Sequence, residues 1–188
     1  KWGMSGWNTD TAGPWNGKIG SNPAQGNSNW NSDAAPVTPT FNETPFIALS
    51  STDGATLLKQ RVEQVVANGF KTVTNTDVLS NPGAYYINNF FSEAHYTGFG
   101  HIKGAYRINP ITFGEQSINL DPNGKIVTYC YTGQTSAVIT ACLNVLGYDA
   151  YSLTFGMNGL YYDNPFWEGI GNHWGSKYIA GLPYGNNN

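Results

Sequence analysis

Cysteine is the most nucleophilic side chain in this sequence, and one cysteine lies where chemistry is expected. Cys130 ends the apolar run KIVTYC (125–130) and leads through YTGQTS into a helical pattern. In an open α/β sheet, functional residues lie just beyond the carboxyl ends of the strands. A thiol at that point faces the next helix, whose unpaired N–H groups and dipole favour the thiolate. We therefore expect Cys130 to act as a nucleophile.

The loop after Cys130 has residues suited to holding an anion. Gly133 permits a positive φ, which lets successive backbone N–H groups converge as an anion nest. Hydroxyl side chains close to this glycine add further donors. The loop is therefore predicted to stabilise a cysteine thiolate, a cysteine persulfide anion or a bound oxyanion. The expected binding residues are Tyr131, Thr132, Gly133, Gln134, Thr135 and Ser136.

The second cysteine, Cys142, is predicted to be a core residue rather than a partner of Cys130. Gln134 and Cys142 are separated by about 12 Å of helix. A disulfide requires Cα atoms within about 7 Å. A thiol redox role is therefore disfavoured, and the sequence also lacks a CxxC motif. The residues expected on the apolar face with Cys142 are Val138, Ala141, Val145 and Leu146.

The elements that position Cys130 follow from apolar spacing and turn signals. Asp53 is the expected N-cap of the first helix and Gly69 its C-terminal stop. Strands that alternate with helices indicate βαβ units and a parallel sheet, hence an α/β fold. The predicted helices span 54–70, 74–83 (a short helix and a turn) and 133–148. The predicted strands span 44–50, 84–91, 104–110, 125–130 and 150–156.

Both ends of the chain have a different composition from the middle. Residues 1–40 are rich in Gly, Asn, Ser, Pro and Trp and show no helical or strand period, which indicates irregular structure. We expect a folded domain over 41–165 and an irregular tail over 166–188. The early tryptophans are expected to dock on the domain. They are Trp2, Trp7, Trp15 and Trp30.

The start of the chain echoes a later segment. KWGMSGWNTD (1–10) matches TFGMNGLYYD (154–163) in its Gly-Met-x-Gly core and its final Asp. Pro, Trp, Gly and Asn follow both copies. The repeat predicts that residues 1–40 include the last element of a preceding, similar domain.

Composition excludes several classes of function. Charged residues make up 11% of the chain, and its formal net charge is −3. Nucleic-acid binding therefore has no electrostatic basis. No apolar run approaches the roughly 20 residues that span a bilayer, and no His, Cys and Asp spacing is typical of zinc sites. We expect no nucleic-acid partner, no transmembrane segment, no metal and no cofactor. Low charge and long neutral loops favour an exported protein of the periplasm or cell envelope.

From Thr74 to Gly159 the chain resembles the rhodanese family in four consecutive segments. NPGAYYINNFFSEAHY resembles the strand and helix where the family usually carries Asp-x-Arg. GHIKGAYRINP (100–110) resembles its Gly-His-Ile-x-Gly-Ala segment, in which His101 is expected to have a structural hydrogen bond. YCYTGQTSA (129–137) resembles the active loop, and LGYDAYSLTFGMNGL (146–160) resembles the closing strand. The resemblance implies an open parallel sheet with helices on both faces.

The resemblance also implies an activity. Cys130 would take a sulfane sulfur from a small donor such as thiosulfate, hold it as a persulfide, and pass it to cyanide or a thiol. The loop from Cys130 to Thr135 has the length found in sulfur-transferring members. Relatives that act on phosphate use a longer loop with an Arg, and no Arg follows Cys130 here. A second rhodanese-like domain upstream would fit the tandem members of the family.

The chain departs from the family pattern at three places, one of which, the loss of Asp-x-Arg, concerns a structural charge pair. Many members that use thiosulfate carry Arg or Lys just after the cysteine, where Tyr131 and Thr132 stand here. The family's Asp-x-Arg is replaced by Asn-Phe-Phe (89–91). His95 stands where some members have a substrate-binding Arg, so a protonated His95 could supply that positive charge at lower pH. The alternative function is therefore a weakly active or inactive rhodanese-like module that binds a partner or carries sulfur.

Overall fold

A five-stranded parallel sheet is the centre of the fold, in a computed structural model that describes residues 2–48, 50–183 and 185. Its strands are rich in β-branched and aromatic residues, which pack well on a pleated surface. In chain order the strands are β1 (Trp30–Asn31), β2 (Thr72–Val73), β3 (Tyr86–Asn89), β4 (His101–Ile102), β5 (Tyr106–Arg107), β6 (Lys125–Tyr129) and β7 (Asp149–Leu153).

The strand order places Cys130 at the middle of the sheet. The order is β2-β7-β6-β3-β5, and β1 pairs antiparallel with β4 outside this sheet. Every pairing within the large sheet is parallel, with Thr128 of β6 beside Asn88 of β3 and Ser152 of β7. The carboxyl ends of the strands therefore share one edge. Cys130 follows the central strand β6 at that edge, and the predicted α/β fold with an open parallel sheet is confirmed.

The three predicted helices correspond to the helices Gly54–Asn68, Asn75–Ser80 and Gln134–Val145, which begin and end close to the expected residues. Asp53 caps the long second helix by accepting a hydrogen bond from the Thr56 N–H, and Gly69 follows its end with a φ of 77°. No helix in the described part of the chain is long and apolar enough to cross a membrane. The helices are α1 (Gly13–Asn16), α2 (Gly54–Asn68), α3 (Asn75–Ser80), α4 (Glu93–Phe99), α5 (Gln134–Val145) and α6 (Gly156–Leu160). Short 3₁₀ turns span Gly3–Gly6, Thr9–Thr11, Pro82–Ala84, Gln116–Asn119, Pro165–Trp167 and Ser176–Tyr178.

The two faces of the sheet bury separate apolar clusters. Alternate residues of β6 point to opposite faces, as strand geometry requires. Val127 and Tyr129 pack under α3, α4 and α6. Ile126 packs on the other face with Ile139 and Leu143 of α5. Helices therefore cover both faces, in agreement with the expected architecture.

The predicted strand at 44–50 is wrong. Residues 44–48 and 50 are not in a strand, and Leu49 lies outside the described residues. Pro45 has no N–H to donate to a ladder, and the Phe46 side chain is exposed. The edge strand is instead β2 (Thr72–Val73), which pairs with β7. Two residues are too few to show a period, so the sequence pattern does not reveal β2.

The spacing of apolar residues in α2 predicts its helical structure but not its burial. Leu58, Val62 and Val66 form one stripe along the helix, yet they are 57%, 43% and 74% exposed. With Phe113 and Leu146 they line an open apolar groove between α2 and α5. The face of α2 that carries this stripe is therefore not part of the core.

The predicted core position of Cys142 is also wrong. The buried apolar side chains of α5 are Ile139 and Leu143, whereas Val138 and Leu146 are exposed. Cys142 is partly exposed and lines the same groove. The helix turns Ile139 and Leu143 towards the sheet, which leaves the neighbouring stripe at the surface.

The terminal segments dock on the domain through tryptophan. Trp2 and Trp15 pack edge to face with ring centroids 5.0 Å apart, and Trp15 stacks on Trp174 at 5.4 Å. We call Trp2, Trp15 and Trp174 the tryptophan cluster; all three are buried. Trp30 packs against the core of the domain. The docking hypothesis is confirmed for these early tryptophans. Trp7 is 42% exposed, and its indole N–H donates to the Pro183 carbonyl of the C-terminal tail at 3.1 Å.

Replacing Trp15 tests how strongly the N-terminal segment is attached. Trp15→Ala removes a buried ring and should lower the free energy of unfolding by about 3 kcal/mol. Trp7→Ala is the matched control in the same segment, and should lower it by less than about 1 kcal/mol. Denaturant unfolding followed by circular dichroism measures both. Equal losses in the two variants would contradict the docking.

Protonation of the buried His101 should make the free energy of unfolding depend on pH. Its ring stacks on Tyr96 with centroids 3.7 Å apart, and its Nδ1–H donates to the Tyr96 carbonyl at 3.3 Å. Burial lowers the pKa of His101, although this hydrogen bond opposes the shift. Protonation therefore favours the unfolded state, and stability present above the ordinary histidine pKa of about 6.5 is lost as pH falls below it.

The test compares the free energy of unfolding at neutral and mildly acidic pH. On acidification, the His101→Gln variant should lose less stability than the unsubstituted protein does. Burial also lowers the pKa of His173, so part of the pH dependence should remain. An unchanged pH dependence in the variant would rule out this role for His101.

Candidate active site

Cys130 lies at the junction between the central strand and a helix. It directly follows β6, and α5 begins at Gln134. The cysteine is 3% exposed. Gly133 caps the helix with a φ of 83°, in the left-handed region that glycine adopts without strain. The strand, loop and helix therefore have the predicted arrangement.

The Cys130 sulfur has a hydroxyl neighbour. The Sγ–H donates to Ser136 Oγ at 3.8 Å, and the Ser136 hydroxyl donates to the Gly133 carbonyl at 3.0 Å. Ser136 Oγ also lies 2.9 Å from Ser152 Oγ in β7. Both serines are buried. Sequence reasoning missed Ser152, whose role depends on strand register rather than on any local motif.

Several N–H groups of the loop are unpaired. Within the described residues, the backbone N–H groups of Tyr131, Thr132 and Gly133 donate no hydrogen bond. The Thr132 hydroxyl accepts a hydrogen bond from the Gln134 N–H at 3.3 Å, so it supports the helix start. Unpaired N–H groups beside a thiol are suited to a bound anion. The Thr132 hydroxyl has a different partner from the one expected, and the role of the loop as an anion nest stays a prediction.

His95 contacts the loop through Tyr131. Its Nδ1 lies 2.6 Å from the Tyr131 hydroxyl, and the Tyr131 ring stacks on Phe91 at 4.5 Å. Burial raises the pKa of Tyr131, while hydrogen bonds from Ser92 oppose this shift. The Tyr131 phenol therefore keeps its proton, and its hydroxyl forms a hydrogen bond with His95. His95 thus contacts the side chain of Tyr131, the residue after Cys130. Direct contact between His95 and a substrate stays a prediction.

Uncharged side chains form a hydrogen-bonded network around Asn89, at the position where the resemblance implies the Asp of Asp-x-Arg. Asn89 is buried, donates to the Tyr129 hydroxyl at 2.7 Å and accepts from the Phe91 N–H at 2.9 Å. The Ile102 N–H donates to the same hydroxyl at 3.3 Å. The stack of Phe91 on Tyr131 completes the packing. Uncharged hydrogen bonds and aromatic contacts thus support the strand that precedes the loop.

Helix α6 contacts the outer side of the loop, which sequence reasoning did not identify. The Met157 N–H donates to the Cys130 carbonyl at 2.9 Å, and Asn158 Nδ2 donates to the Tyr131 carbonyl at 2.7 Å. Gly156 has a φ of 51°. A Cβ atom at this position would overlap the Cys130 carbonyl and lie 2.9 Å from the Gly133 nitrogen. The close approach therefore requires glycine.

An open cavity of about 310 Å³ adjoins the loop. Thr132, Gly133 and Gln134 line one side of it, and Ser152 also contributes. No charged side chain of the described residues lines this cavity. The docked N-terminal segment therefore forms part of the surroundings of the loop. The aromatic residues of the cavity wall are Trp2, Trp15, Phe70 and Phe155.

The predicted binding residues are brought to one loop but in different environments. Thr132 and Ser136 are buried with Cys130, whereas Gln134 and Thr135 are exposed on the first turn of α5. Their part in binding a substrate stays a prediction. Three or more His, Cys, Asp or Glu side chains that could hold a metal ion do not occur together in the described part of the chain.

The site therefore consists of a buried cysteine after the central strand of a parallel sheet, within a loop that opens a helix of an α/β domain. Residues 90–162 match the family model described as the Rhodanese-like domain. This part of the chain is therefore similar to rhodanese-like domains. No curated protein matches the sequence.

Solved structures with partial likeness include a rhodanese-related protein from Thermoplasma volcanium. It is 21% identical, with a TM-score of 0.45, over 48% of this chain and 90% of that chain. A protein of unknown function from Rhodopseudomonas palustris, described as a possible tyrosine phosphatase, is 19% identical over 61% and 94%, with a TM-score of 0.41. A protein from Lactobacillus plantarum is 24% identical over 60% and 93%, with a TM-score of 0.40. These values support no conclusion about activity.

Replacing Gly156 tests the close packing of α6 on the loop. Gly156→Ala should displace the Cys130 carbonyl and change the alkylation rate of the Cys130 thiol by about tenfold. Gly104→Ala is the control, because Gly104 also has a positive φ of 79° but has nothing within 4 Å of an added Cβ. Both variants share a backbone cost of about 1–2 kcal/mol. Peptide mass spectrometry measures the rate, and equal rates in the two variants would contradict the packing argument.

Proposed function

We propose that the protein is a sulfurtransferase that carries a sulfane sulfur on Cys130 as a persulfide. The observation that supports this is the place of the thiol. Cys130 follows the central strand, and unpaired N–H groups of Tyr131, Thr132 and Gly133 lie in the same loop. Such groups stabilise a terminal sulfur anion without requiring a cationic side chain. The rhodanese-like match over residues 90–162 includes this loop.

The chemistry consists of two displacements at sulfur. The Cys130 thiolate attacks the outer sulfur of thiosulfate, the S–S bond of the donor breaks, and sulfite leaves with the electron pair. A thiolate or cyanide acceptor then attacks the outer sulfur of the Cys130 persulfide, and the Cys130 thiolate is the leaving group. The atoms and electrons balance without a cofactor, and the order is ping-pong.

The cavity beside the loop bears on the choice of donor. Thiosulfate carries two negative charges. Cys130 itself does not line this cavity, but neither the cavity wall nor residues 131–136 of the loop have a charged side chain. An anion that leaves water without a counter-charge has a desolvation cost. We therefore propose that organic persulfides or organic polysulfides, whose sulfur chain carries at most one negative charge, are better donors than thiosulfate. The aromatic wall is suited to their apolar parts.

A weakly active rhodanese-like binding or sulfur-carrier module is the second candidate. The burial of Cys130, at 3% exposure, favours it because a buried sulfur is reached slowly by large acceptors. Such a module would form the persulfide but would not turn over with an acceptor. The two candidates therefore differ at the second displacement.

Persulfide formation tests the proposal directly. The purified protein should gain about 32 Da after incubation with a sulfane donor, because Cys130 retains one sulfur atom. Cys130→Ser should abolish the gain, and Cys142→Ser, at a thiol outside the loop, should leave it intact. Intact-mass spectrometry makes the measurement with thiosulfate and, separately, with an organic polysulfide.

The pattern of results separates the candidates. A gain from the organic polysulfide alone agrees with the uncharged cavity, and turnover with cyanide or a thiol identifies an enzyme. A stable persulfide without turnover identifies a carrier. No gain from any donor would overturn the sulfurtransferase proposal.

We also propose that a similar domain precedes this one and that the protein is exported. The echo in the sequence is matched by the backbone, since Gly3 and Gly156 open short helical segments with φ values of 58° and 51°. Gene sequence upstream of the codon for Lys1 tests the first proposal, and a preceding strand–loop–helix pattern is expected. Cell fractionation tests the second, which the low content of charged residues supports.

A further inference from the structure

Asn158 connects the loop of the active site to the C-terminal tail. Its Nδ2 donates to the Tyr131 carbonyl at 2.7 Å and to the Asn172 carbonyl at 2.9 Å. Its Oδ1 accepts a hydrogen bond from the Trp174 N–H at 2.7 Å. The residue has no exposed surface. Every polar atom of this side chain is thus used between two segments that are distant in sequence.

Helix α6 also binds the preceding carbonyl of the loop. The Met157 N–H donates to the Cys130 carbonyl at 2.9 Å, and the Asn158 N–H donates to the Tyr131 carbonyl at 3.2 Å. Two successive carbonyls of the loop therefore point towards α6. In a trans peptide the C=O and the following N–H point in opposite directions. The N–H groups of Tyr131 and Thr132 consequently point away from α6.

These two N–H groups are among the three unpaired donors of the loop described above. Their direction determines whether they can converge on a charged outer sulfur. Fixed donors stabilise developing charge because they need no reorganisation when the reaction occurs. The hydrogen bonds from α6 therefore orient the groups that we propose for persulfide stabilisation.

The tail that Asn158 contacts is itself held by the N-terminal segment. Trp174 is buried in the tryptophan cluster and stacks on Trp15 at 5.4 Å. Its indole N–H donates to Asn16 Oδ1 at 3.0 Å, and the Tyr162 hydroxyl donates to its carbonyl at 2.9 Å. Contacts thus run from the N-terminal segment through Trp174 and Asn158 to the Tyr131 carbonyl.

We propose that Asn158 is a positioning residue for the Cys130 loop, through which the docked terminal segments set the direction of the loop N–H groups. The proposal rests on the sulfurtransferase function for its effect on turnover. Its effect on the geometry of the loop can be measured without sulfur transfer. The irregular N- and C-terminal segments would then help to hold the Cys130 loop in position.

Asn158→Asp is the most direct test, because it keeps the shape and the acceptor of the side chain but loses both Nδ2 donations at pH 8. Asn144→Asp is the matched control. Asn144 is also buried, donates through Nδ2 to the Thr140 carbonyl at 2.9 Å and the Ala150 carbonyl at 2.8 Å, and lies at the other end of α5. Both variants lose equivalent hydrogen bonds, so their melting temperatures should fall by similar amounts.

Two readouts separate positioning from stability. In Asn158→Asp, kcat for sulfur transfer from an organic polysulfide to cyanide should fall about tenfold with a smaller change in KM, and iodoacetamide should alkylate Cys130 about fivefold faster because the loop opens. In Asn144→Asp, kcat and the Cys130 alkylation rate should stay within about twofold of the original protein. Cys142 is the internal reference for alkylation in every sample.

Failure of the positioning role of Asn158 can be distinguished from failure of the sulfurtransferase proposal. If the original protein transfers no sulfur, the alkylation rates of Cys130 still test the positioning role. If Asn158→Asp does not fold, Trp174→Ala releases the tail from the tryptophan cluster and should also accelerate alkylation of Cys130. Equal alkylation rates in the two aspartate variants, or an unchanged rate in Trp174→Ala, would overturn the proposal.

Discussion

The structure depends on the hydrogen bonds that hold the loop after β6 against α6. A loop that leaves N–H groups unpaired is costly unless the rest of its backbone is fixed. Here the carbonyls of Cys130 and Tyr131 are bound by Met157 and Asn158. Gly156 allows the two backbones to approach. The loop can therefore keep donors free beside a buried thiol.

This constraint explains the long terminal segments. Two apolar clusters cover the faces of the sheet, and one of them already includes Ala24, Trp30 and Trp167 from the terminal segments. The third cluster consists of residues from both ends of the chain, and Phe155 packs against it edge to face with Trp15 at 4.9 Å. Phe155 has a φ of 60°, which is strained for a bulky residue. Aromatic packing of the termini thus stabilises the strained turn that leads into α6.

The surroundings of the thiol are neutral and aromatic. Asn89 donates a buried hydrogen bond to the Tyr129 hydroxyl, and the stack of Phe91 on Tyr131 fills the adjacent space. Unpaired backbone N–H groups of Tyr131, Thr132 and Gly133 lie in the loop that follows the thiol. Such a site would depend on the direction of a few peptide planes more than on side-chain charge, which makes the contacts of α6 important for function.

The sequence by itself determined the strand–loop–helix around Cys130, the parallel sheet and the cap residues Asp53 and Gly69, because these depend on local turn chemistry and on residue period. It also indicated the rhodanese resemblance through motifs that are continuous in the chain. Only the tertiary structure decided that the 44–50 segment is not a strand and that Cys142 is partly exposed, because strand partners and packed faces are set by distant residues. The roles of Ser152 and Asn158 likewise depend on contacts between segments that share no local pattern.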